Sequence, residues 1–335
     1  MIETIKKLFT YSESDSFKTK VKKGTVWTIG LTVWTRAIGI VTSVVVTRLL
    51  NPDDFGLMAI ATAIVAIMTG ITATGFNTAL IQKQNATELF LDSAWTMELI
   101  KGLVLFGLLF FSAPIISTYY ADKSLVIMLR VLGFTFLLKG IENIGVVWFR
   151  KNLDIRKEFM LNAIPDLFYF IVVLVLAFYL RSVWALIIAT VLSVMIKTIF
   201  SYAIHPYRPK IEINTSHFRE LFSFGKWILG SSIVVMARTH GVSLFIAKYF
   251  NVGILGIYNR GTVFSQKIFN ELTRTLWKIG FPAFSKLSLD IEKFRIVFLI
   301  ALKLITTIGF PMAIGLYVLS PEIIKYLLTE KWNTI

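Results

Sequence analysis

The chain has 335 residues, of which 56% are hydrophobic and 16% charged, and its mean hydropathy is +0.71. An average soluble domain carries about 25% charged residues, and a water-soluble fold of this length would expose too much apolar surface, so that class is excluded. The net charge of +15 then indicates a membrane surface rather than nucleic acid, and the absence of cysteine excludes disulfides, thiolate metal sites and cysteine nucleophiles.

Long apolar segments follow one another along the whole chain. A membrane-spanning helix needs about 20 mostly apolar residues, and nine segments meet this requirement, the eighth being the most polar. The sequence therefore predicts an all-α polytopic membrane protein. In chain order, the predicted spans are residues 24–47, 57–76, 94–117, 125–148, 159–180, 183–204, 222–247, 255–276 and 296–320.

The basic residues predict the orientation of these spans. Residues 1–23 carry six lysines and no apolar stretch of their own, so we interpret them as a cytoplasmic basic segment and not as a cleavable signal peptide. With this segment inside, the inner loops hold 18 lysines and arginines and the outer loops hold six. This asymmetry follows the positive-inside rule and predicts a cytoplasmic N-terminus.

The sequence also repeats itself at an offset of about 200 residues, which predicts two helical lobes of parallel orientation with a transport path between them. The predicted domains are the basic segment, a six-helix lobe (24–204), a cytoplasmic inter-lobe loop (205–221) and a partial three-helix lobe (222–335). The last three helices of the first lobe (125–204) have no counterpart in the second lobe, so about 75 further residues are expected beyond Ile335. The matches are Trp27 with Trp227, Gly30 with Gly230, Arg48-Leu-Leu-Asn51 with Lys248-Tyr-Phe-Asn251, Gly56 with Gly256 and, after a seven-residue slip, Ser112–Ile116 with Leu319–Ile324.

Charged side chains inside predicted spans are costly and usually face a cavity or a partner. Two pairs at i,i+3 spacing, Glu98 with Lys101 and Lys139 with Glu142, are interpreted as structural pairs. The remaining surplus is cationic, which suits a phosphate-bearing substrate better than a cationic one. The cations are Arg36, Lys101, Arg130, Lys139, Lys197, Lys226, Arg238, Arg260 and Lys303, and the acids are Glu98, Glu142 and Asp166. Lys197 and Lys226 lie near span ends and are interpreted as reaching the interface.

Arg36 is the most informative of these cations. It lies twelve residues after Gly24, or about 18 Å along a helix, near the middle of a hydrocarbon core about 30 Å thick. Threonines, serines and Gly39 recur on the same face at steps of three and four residues. This pattern indicates a helix with one side towards lipid and one towards a wet cavity, and the alternative is close packing of small residues.

Arg260 begins a similar polar stripe in the predicted span 255–276. The stripe continues through Lys267, Glu271, Arg274 and Lys278. An amphipathic helix lying in the membrane interface is the alternative interpretation of this segment. The repeat relation to the span 57–76 favours a membrane-crossing helix.

Short motifs at the span boundaries resemble those of Wzx-type polysaccharide flippases, in the exporter superfamily that also holds lipid II flippases and MATE drug exporters. The match begins with Arg48-Leu-Leu-Asn-Pro-Asp-Asp-Phe-Gly56, which resembles the signature after the family's first helix. Family members have twelve to fourteen helices, so the chain differs from them in length. The later matches are Gly75-Phe76 with Ala79–Gln82, Leu255–Asn259, Phe281-Pro282-Ala283 and Glu330-Lys331-Trp332.

The resemblance implies a bacterial inner-membrane transporter that moves undecaprenyl-pyrophosphate-linked oligosaccharide from the inner to the outer leaflet. Its implied partners are the lipid-linked anionic oligosaccharide and membrane lipids, and it also admits polysaccharide polymerase machinery. No cofactor and no metal are expected. Together with the intramembrane charges, it gives a candidate substrate-binding set of Arg36, Arg238, Arg260, Lys101 and Lys303, with the three arginines on the pyrophosphate.

Two other functions are weighed against this one. A MATE-like exporter of small cations would use the same fold, but the cationic surplus argues against it. A membrane polymerase or ligase usually needs a large outer loop with catalytic groups, whereas every predicted outer loop is short. The sequence shows no Ser/His/Asp constellation, glycine-rich phosphate loop or metal motif, so an enzyme is not expected.

Overall fold

The computed structural model describes residues 17–72, 88–152, 154–212, 215–266 and 291–332. Within these ranges every regular element is a helix, and strands are absent. The α-helices are α1 (Phe17–Leu49), α2 (Pro52–Ile71), α3 (Glu88–Tyr120), α4 (Ser124–Gly140), α5 (Val147–Lys151), α6 (Ile155–Leu180), α7 (Trp184–Ile204), α8 (Thr215–Tyr249), α9 (252–266) and α10 (Ile291–Leu327). Short 3₁₀ turns lie at Ile144–Val146 and Glu330–Trp332.

The described helices agree with the predicted spans in type and position. Five of them are long and apolar enough to cross a membrane, or six if the bent pair that begins with α4 counts as one span. The predicted number of nine is not confirmed, although helices cover the predicted spans 24–47 and 222–247 as well. The span 255–276 is described only as far as residue 266. The matches at Gly75–Gln82 and Phe281–Ala283 lie outside the described residues, as do the stripe residues after Arg260.

The boundary between α1 and α2 explains the first family motif. Pro52 is the first residue of α2, a position where its missing N–H and fixed φ cost nothing. Asp53 and Asp54 occupy the first turn, where the helix dipole favours acidic side chains. The backbone N–H of Asn51 donates to Asp54 Oδ2 at 3.0 Å. The motif therefore encodes a tight connection followed by a capped helix start.

The predicted span 125–148 is not one straight helix, because the helix breaks after Gly140 and the chain bends by 67° before α5. Buried Asn143 stabilises the break. Its side chain accepts from Gly145 N at 2.9 Å and donates to the carbonyl of Tyr207 at 2.7 Å, and its own N–H donates to Ser201 Oγ at 3.0 Å. These bonds satisfy polar groups that an unbroken helix would have paired internally.

The helix boundaries follow the sequence repeat. α1 ends at Leu49 and α8 at Tyr249, and α2 begins at Pro52 as α9 begins at residue 252. α3 and α10 each contain a proline near their C-terminal end, at Pro114 and Pro321. The separation of these two prolines exceeds the repeat offset of 200 by the same seven residues as the sequence match. The two halves therefore share helix order, helix ends and an internal proline, as the predicted repeat requires.

The described chain divides into two compact units, the first formed by residues 1–50 and 57–251 and the second by residues 51–56 and 252–335. In the first unit α3 packs on α4, α6 on α7 and α1 on α6. α3 and α4 approach closely, since a Cβ on Gly102 would lie 2.6 Å from the carbonyl oxygen of Phe136. This contact brings the charged residues of α3 and α4 near one another.

The second unit has a small core of its own. Phe55 and Trp332 are fully buried and meet edge to face, with ring centroids 5.5 Å apart. Leu255, Ile324 and Leu328 are buried in the same unit. Three of the family motifs therefore contribute buried residues to one unit, which gives them a structural role.

The predicted inter-lobe loop is shorter than expected. Residues 205–212 form neither helix nor strand, but α8 already begins at Thr215, so the C-terminal part of the predicted loop 205–221 is helical. The assignment of residues 24–204 and 222–335 to separate lobes stays a prediction, as does the role of residues 1–23.

Candidate functional site

The five predicted substrate-binding residues lie on five different helices. Arg36, Lys101 and Arg238 belong to the first unit, and Arg260 and Lys303 to the second. Two cavities lie within the described part of the first unit, and none of the five residues lines either of them. The structure therefore does not gather the set into one described pocket.

Arg36 and Arg238 share a similar environment. Both side chains are exposed, on α1 and α8, which correspond in the repeat. Arg36 lies 13 residues before the end of α1 and Arg238 lies 11 residues before the end of α8. At 1.5 Å per residue these distances are about 20 and 16 Å along the helix axes, so the two arginines lie at similar positions on their helices.

Arg260 is half-buried against an aromatic ring. Its guanidinium carbon lies 4.1 Å from the ring centroid of Phe55, and Nη2 donates to Asn259 Oδ1 at 3.2 Å. A guanidinium over an aromatic face is attracted by the negative π cloud of the ring. Arg260 therefore holds part of the second unit together through Phe55.

Lys101 and Lys303 differ in their surroundings. Lys101 forms an i,i+3 ion pair with Glu98 on α3, so the pair predicted from the spacing is confirmed. Lys303 is exposed on α10, a helix with little of its surface buried. Lys101 is thus largely neutralised by its neighbour, whereas the position of Lys303 favours contact with something other than its own helix.

The predicted pair of Lys139 with Glu142 is wrong. Glu142 Oε1 lies 3.1 Å from Nζ of Lys197 on α7. α4 ends at Gly140, so Glu142 lies beyond the helix break and cannot share a helix face with Lys139. Lys197, interpreted from the sequence as reaching the interface, instead holds α7 to this break.

The first cavity lies at the bend after α4 and has a volume of about 170 Å³. Its walls are strongly polar and carry both signs of charge. The ionisable groups in its lining are Glu98, Lys139, Glu142, Arg150, Glu158 and Lys197. Within the described residues, no group of three histidine or carboxylate side chains is placed to hold a metal ion.

The second cavity has a volume of about 490 Å³ and lies among α2, α4, α7 and α8. Lys139 is the one ionisable residue among its described lining residues, which also include several hydroxyls and aliphatic side chains. The volume is within the range of about 300–1,000 Å³ that is typical of small-molecule sites. Lys139 borders both cavities and is exposed to solvent.

The segment 205–212 is fastened to α3. The phenol of Tyr207 and the N–H of Lys210, the latter at 2.8 Å, both donate to Asp92 Oδ1, and the N–H of Glu212 donates to Thr96 Oγ1 at 2.9 Å. At the start of the segment His205 Nδ1 accepts from the N–H of Tyr207 at 3.1 Å. Burial, with nearby Lys157 and Arg208, lowers the pKa of His205 below its usual range and favours the neutral ring that this bond needs.

The cavities were not predicted from the sequence, and neither was the role of Lys139 in them. Gly140 and Asn143 are signals of a helix break that could have separated Lys139 from Glu142. The partner of Glu142 lies 55 residues away at Lys197, a distance over which spacing carries no information. The hydroxyls of the second cavity come from four helices, so no single periodicity marks them.

Residues 45–335 match the family described as polysaccharide biosynthesis protein. No solved structure matches the chain significantly. The chain is similar to the lipopolysaccharide biosynthesis protein WzxC of Escherichia coli, with 25% identity over 96% of this chain and 65% of that protein.

Two further relatives come from distant bacteria. The teichuronic acid biosynthesis protein TuaB of Bacillus subtilis is 26% identical over 77% of this chain and 54% of that protein. The succinoglycan biosynthesis transport protein ExoT of Rhizobium meliloti is 21% identical over 93% of this chain and 63% of that protein. The chain thus spans between about half and two thirds of the length of these relatives.

Proposed function

Because the chain belongs to the polysaccharide biosynthesis protein family, we propose that it acts in a flippase that moves a lipid-linked anionic oligosaccharide across the membrane. The names of the relatives refer to three different polymers, and one of them names transport directly. The chain is a multi-pass membrane protein with several apolar helices. A membrane transporter of polysaccharide precursors is the function that fits both observations.

The observation that carries the proposal is the pair Arg36 and Arg238. Both arginines are exposed on helices that correspond in the repeat, and the spans predicted from the sequence would put them near mid-membrane. An arginine at this depth is costly in lipid and usually faces a partner or a water-filled cavity. Two such arginines would attract an anionic substrate and would repel a cationic drug.

We propose that these arginines bind the pyrophosphate of an undecaprenyl-linked oligosaccharide. The guanidinium group offers a planar fork of donors that matches phosphate oxygens. Arg260, Lys101 and Lys303 complete the proposed binding set. Arg260 contacts Phe55 and Lys101 pairs with Glu98, so we expect each of them to contribute less than a cation without such a contact.

The proposed orientation has the N-terminus in the cytoplasm of a bacterium, with transport from the inner to the outer leaflet of its inner membrane. The proposed partners are membrane lipids and the polymerase that would receive the flipped oligosaccharide. A reporter fused after Lys157 should then be cytoplasmic, and one fused after Lys123 should be external. The opposite pattern would overturn the orientation.

Complementation tests the function itself. Expression of the full-length protein in a strain that lacks its own polysaccharide flippase should restore the surface polymer, while tolerance to cationic dyes should not change. Increased efflux of dyes without restored polymer would support a MATE-like exporter instead. The same strain expressing Lys123→Ala, which removes a cation outside the helices, controls for net charge and expression.

A further inference from the structure

Three lysines of the first unit lie close enough to interact. Lys101 is neutralised by Glu98, and Lys197 lies 3.1 Å from Glu142. The ammonium group of Lys139 makes no hydrogen bond or ion pair with any residue that the structure describes. Lys197 and Lys101 repel its ammonium group, and Glu142 attracts it.

The two carboxylates of this group already have partners, since Glu98 pairs with Lys101 and Glu142 with Lys197. Among the described residues, Lys139 is therefore the lysine of this group that has no ion-pair partner. A poorly compensated cation inside a membrane protein is costly, and an anionic ligand at Nζ would lower this cost.

The wall of the second cavity offers hydrogen-bond acceptors. Four threonines in it donate their hydroxyl hydrogens to carbonyls of their own helices, at 2.6–2.8 Å. They are Thr62, Thr69, Thr135 and Thr190. Each hydroxyl oxygen keeps lone pairs that can accept a hydrogen bond from a ligand. Val65, Leu132 and Val194 add apolar surface between them.

The hydroxyl acceptors and the single ammonium group favour an acidic sugar over the other anionic molecules of a membrane. A phosphate group is rich in acceptor oxygens and would face a wall of further acceptors, with one point-like ammonium and no arginine fork. A fatty acyl chain would leave the ammonium and the hydroxyl oxygens without partners. An acidic sugar has one carboxylate for Lys139, several hydroxyls that donate, and C–H faces for the aliphatic side chains.

We propose that the second cavity binds an acidic sugar residue of the transported oligosaccharide. Lys139 Nζ pairs with the sugar carboxylate, and the threonine oxygens accept hydrogen bonds from the sugar hydroxyls. The inference rests on the proposed function for the identity of the cargo. It adds a contact region for the glycan to the arginines that are proposed to bind the pyrophosphate.

Protection of Lys139 from an amine-reactive reagent tests the inference in the purified protein. Mass spectrometry would measure acetylation of Lys139 with glucuronate, with glucose, or with neither. We expect glucuronate to slow acetylation and an equal concentration of glucose to do so at least tenfold less effectively. Equal protection by both sugars would overturn the inference, as would stronger protection by anionic lipid vesicles.

Variants at Lys139 and Thr69 give an independent measurement. Titration calorimetry should show at least tenfold weaker glucuronate binding by Lys139→Gln and partial retention by Lys139→Arg. Lys123→Gln, the same change just before the start of α4, should bind normally. Thr69→Val should weaken the binding of glucuronate and glucose alike. Unchanged glucuronate binding by a folded Lys139→Gln protein would contradict the inference.

The result is distinguishable from failure of the proposed function. A protein that binds glucuronate through Lys139 but does not restore the polymer in the flippase-deficient strain would contradict the transport proposal alone. A protein that restores the polymer while Lys139→Gln binds glucuronate as the wild type does would contradict this inference alone.

Discussion

Gly56 of α2 and Gly256 of α9 lie at a close backbone contact, in which each glycine faces the residue four positions before the other. A Cβ atom on Gly56 would lie 1.9 Å from the carbonyl oxygen of Val252, and one on Gly256 would lie 1.9 Å from the carbonyl oxygen of Pro52. All four residues belong to the second unit. The contact is reciprocal between repeat-related positions, so it has the local symmetry that the sequence repeat predicts.

Alanine at Gly56 or Gly256 should therefore destabilise the protein. The added methyl group meets rigid backbone that cannot move aside, and overpacking of this kind costs about 1–3 kcal/mol. The thermal midpoint of the purified protein should fall for either variant. Gly309→Ala on α10, where a Cβ meets nothing within 4 Å, is the control and should be neutral or slightly stabilising. Equal effects at all three positions would contradict the close contact.

Glu142→Gln should destabilise the bend after α4. It removes the carboxylate from Lys197, and a poorly solvated charge left without its partner costs about 1–3 kcal/mol. The matched control is Glu158→Gln, whose partner Arg150 is 60% exposed, so its loss should cost less than about 1 kcal/mol. Thermal unfolding of both variants measures the difference. A larger loss for Glu158→Gln would show that the ion pair at the bend contributes little.

Acidification should release the segment 205–212 from α3. The pKa of His205 is lowered in the folded protein, so its contribution to stability is present above the unfolded pKa of about 6.5 and declines below it. Protonation of Nδ1 also removes the bond from the N–H of Tyr207. The protection factor of the amides of residues 205–212, which is the intrinsic exchange rate divided by the measured rate at the same pH, should fall between about pH 6.5 and pH 5, and His205→Gln should flatten this response. A pH-independent protection factor in the wild type would contradict the account.

Arg260→Ala should lower stability, because it removes the cation from the face of Phe55. Such contacts contribute about 0.5–2 kcal/mol, depending on burial. A double-mutant cycle of Arg260→Ala with Phe55→Leu, followed by thermal unfolding, measures the coupling between the two side chains. Lys303→Ala, on an exposed part of α10, is the control and should change stability little. Additive effects of Arg260→Ala and Phe55→Leu would exclude the contact.

Local sequence relations predicted local structure well. The pair Glu98–Lys101 and the start of α2 at Pro52 depend on residues within one helical turn, so spacing alone identifies them. The apolar segments predicted the helices for the same reason. The bend after α4 was missed because averaged hydropathy over 125–148 conceals Gly140 and Asn143.

Relations between distant residues could not be predicted in this way. Tyr207 with Asp92 and Arg260 with Phe55 join residues more than 100 positions apart. Their contact depends on how whole helices pack, which no spacing rule encodes. The candidate site shows the same limit: the sequence identified the intramembrane cations but not the cavities that Lys139 borders.

The central claim is that Arg36 and Arg238 bind the pyrophosphate of a lipid-linked oligosaccharide during transport. Loss of one charge-assisted bond to a phosphate costs about 1.5–3 kcal/mol, or roughly tenfold or more in affinity. Arg36→Lys should retain part of the activity, since it keeps the charge but loses the fork.

The most direct measurement is the flipping of a fluorescent undecaprenyl-pyrophosphate oligosaccharide in proteoliposomes with matched amounts of the full-length protein. The account predicts that the wild type and Lys123→Ala flip the lipid, that Arg36→Ala and Arg238→Ala do so at least tenfold more slowly, and that Arg36→Lys is intermediate. Normal flipping by a folded Arg36→Ala protein would contradict the account and show that Arg36 is a packing residue.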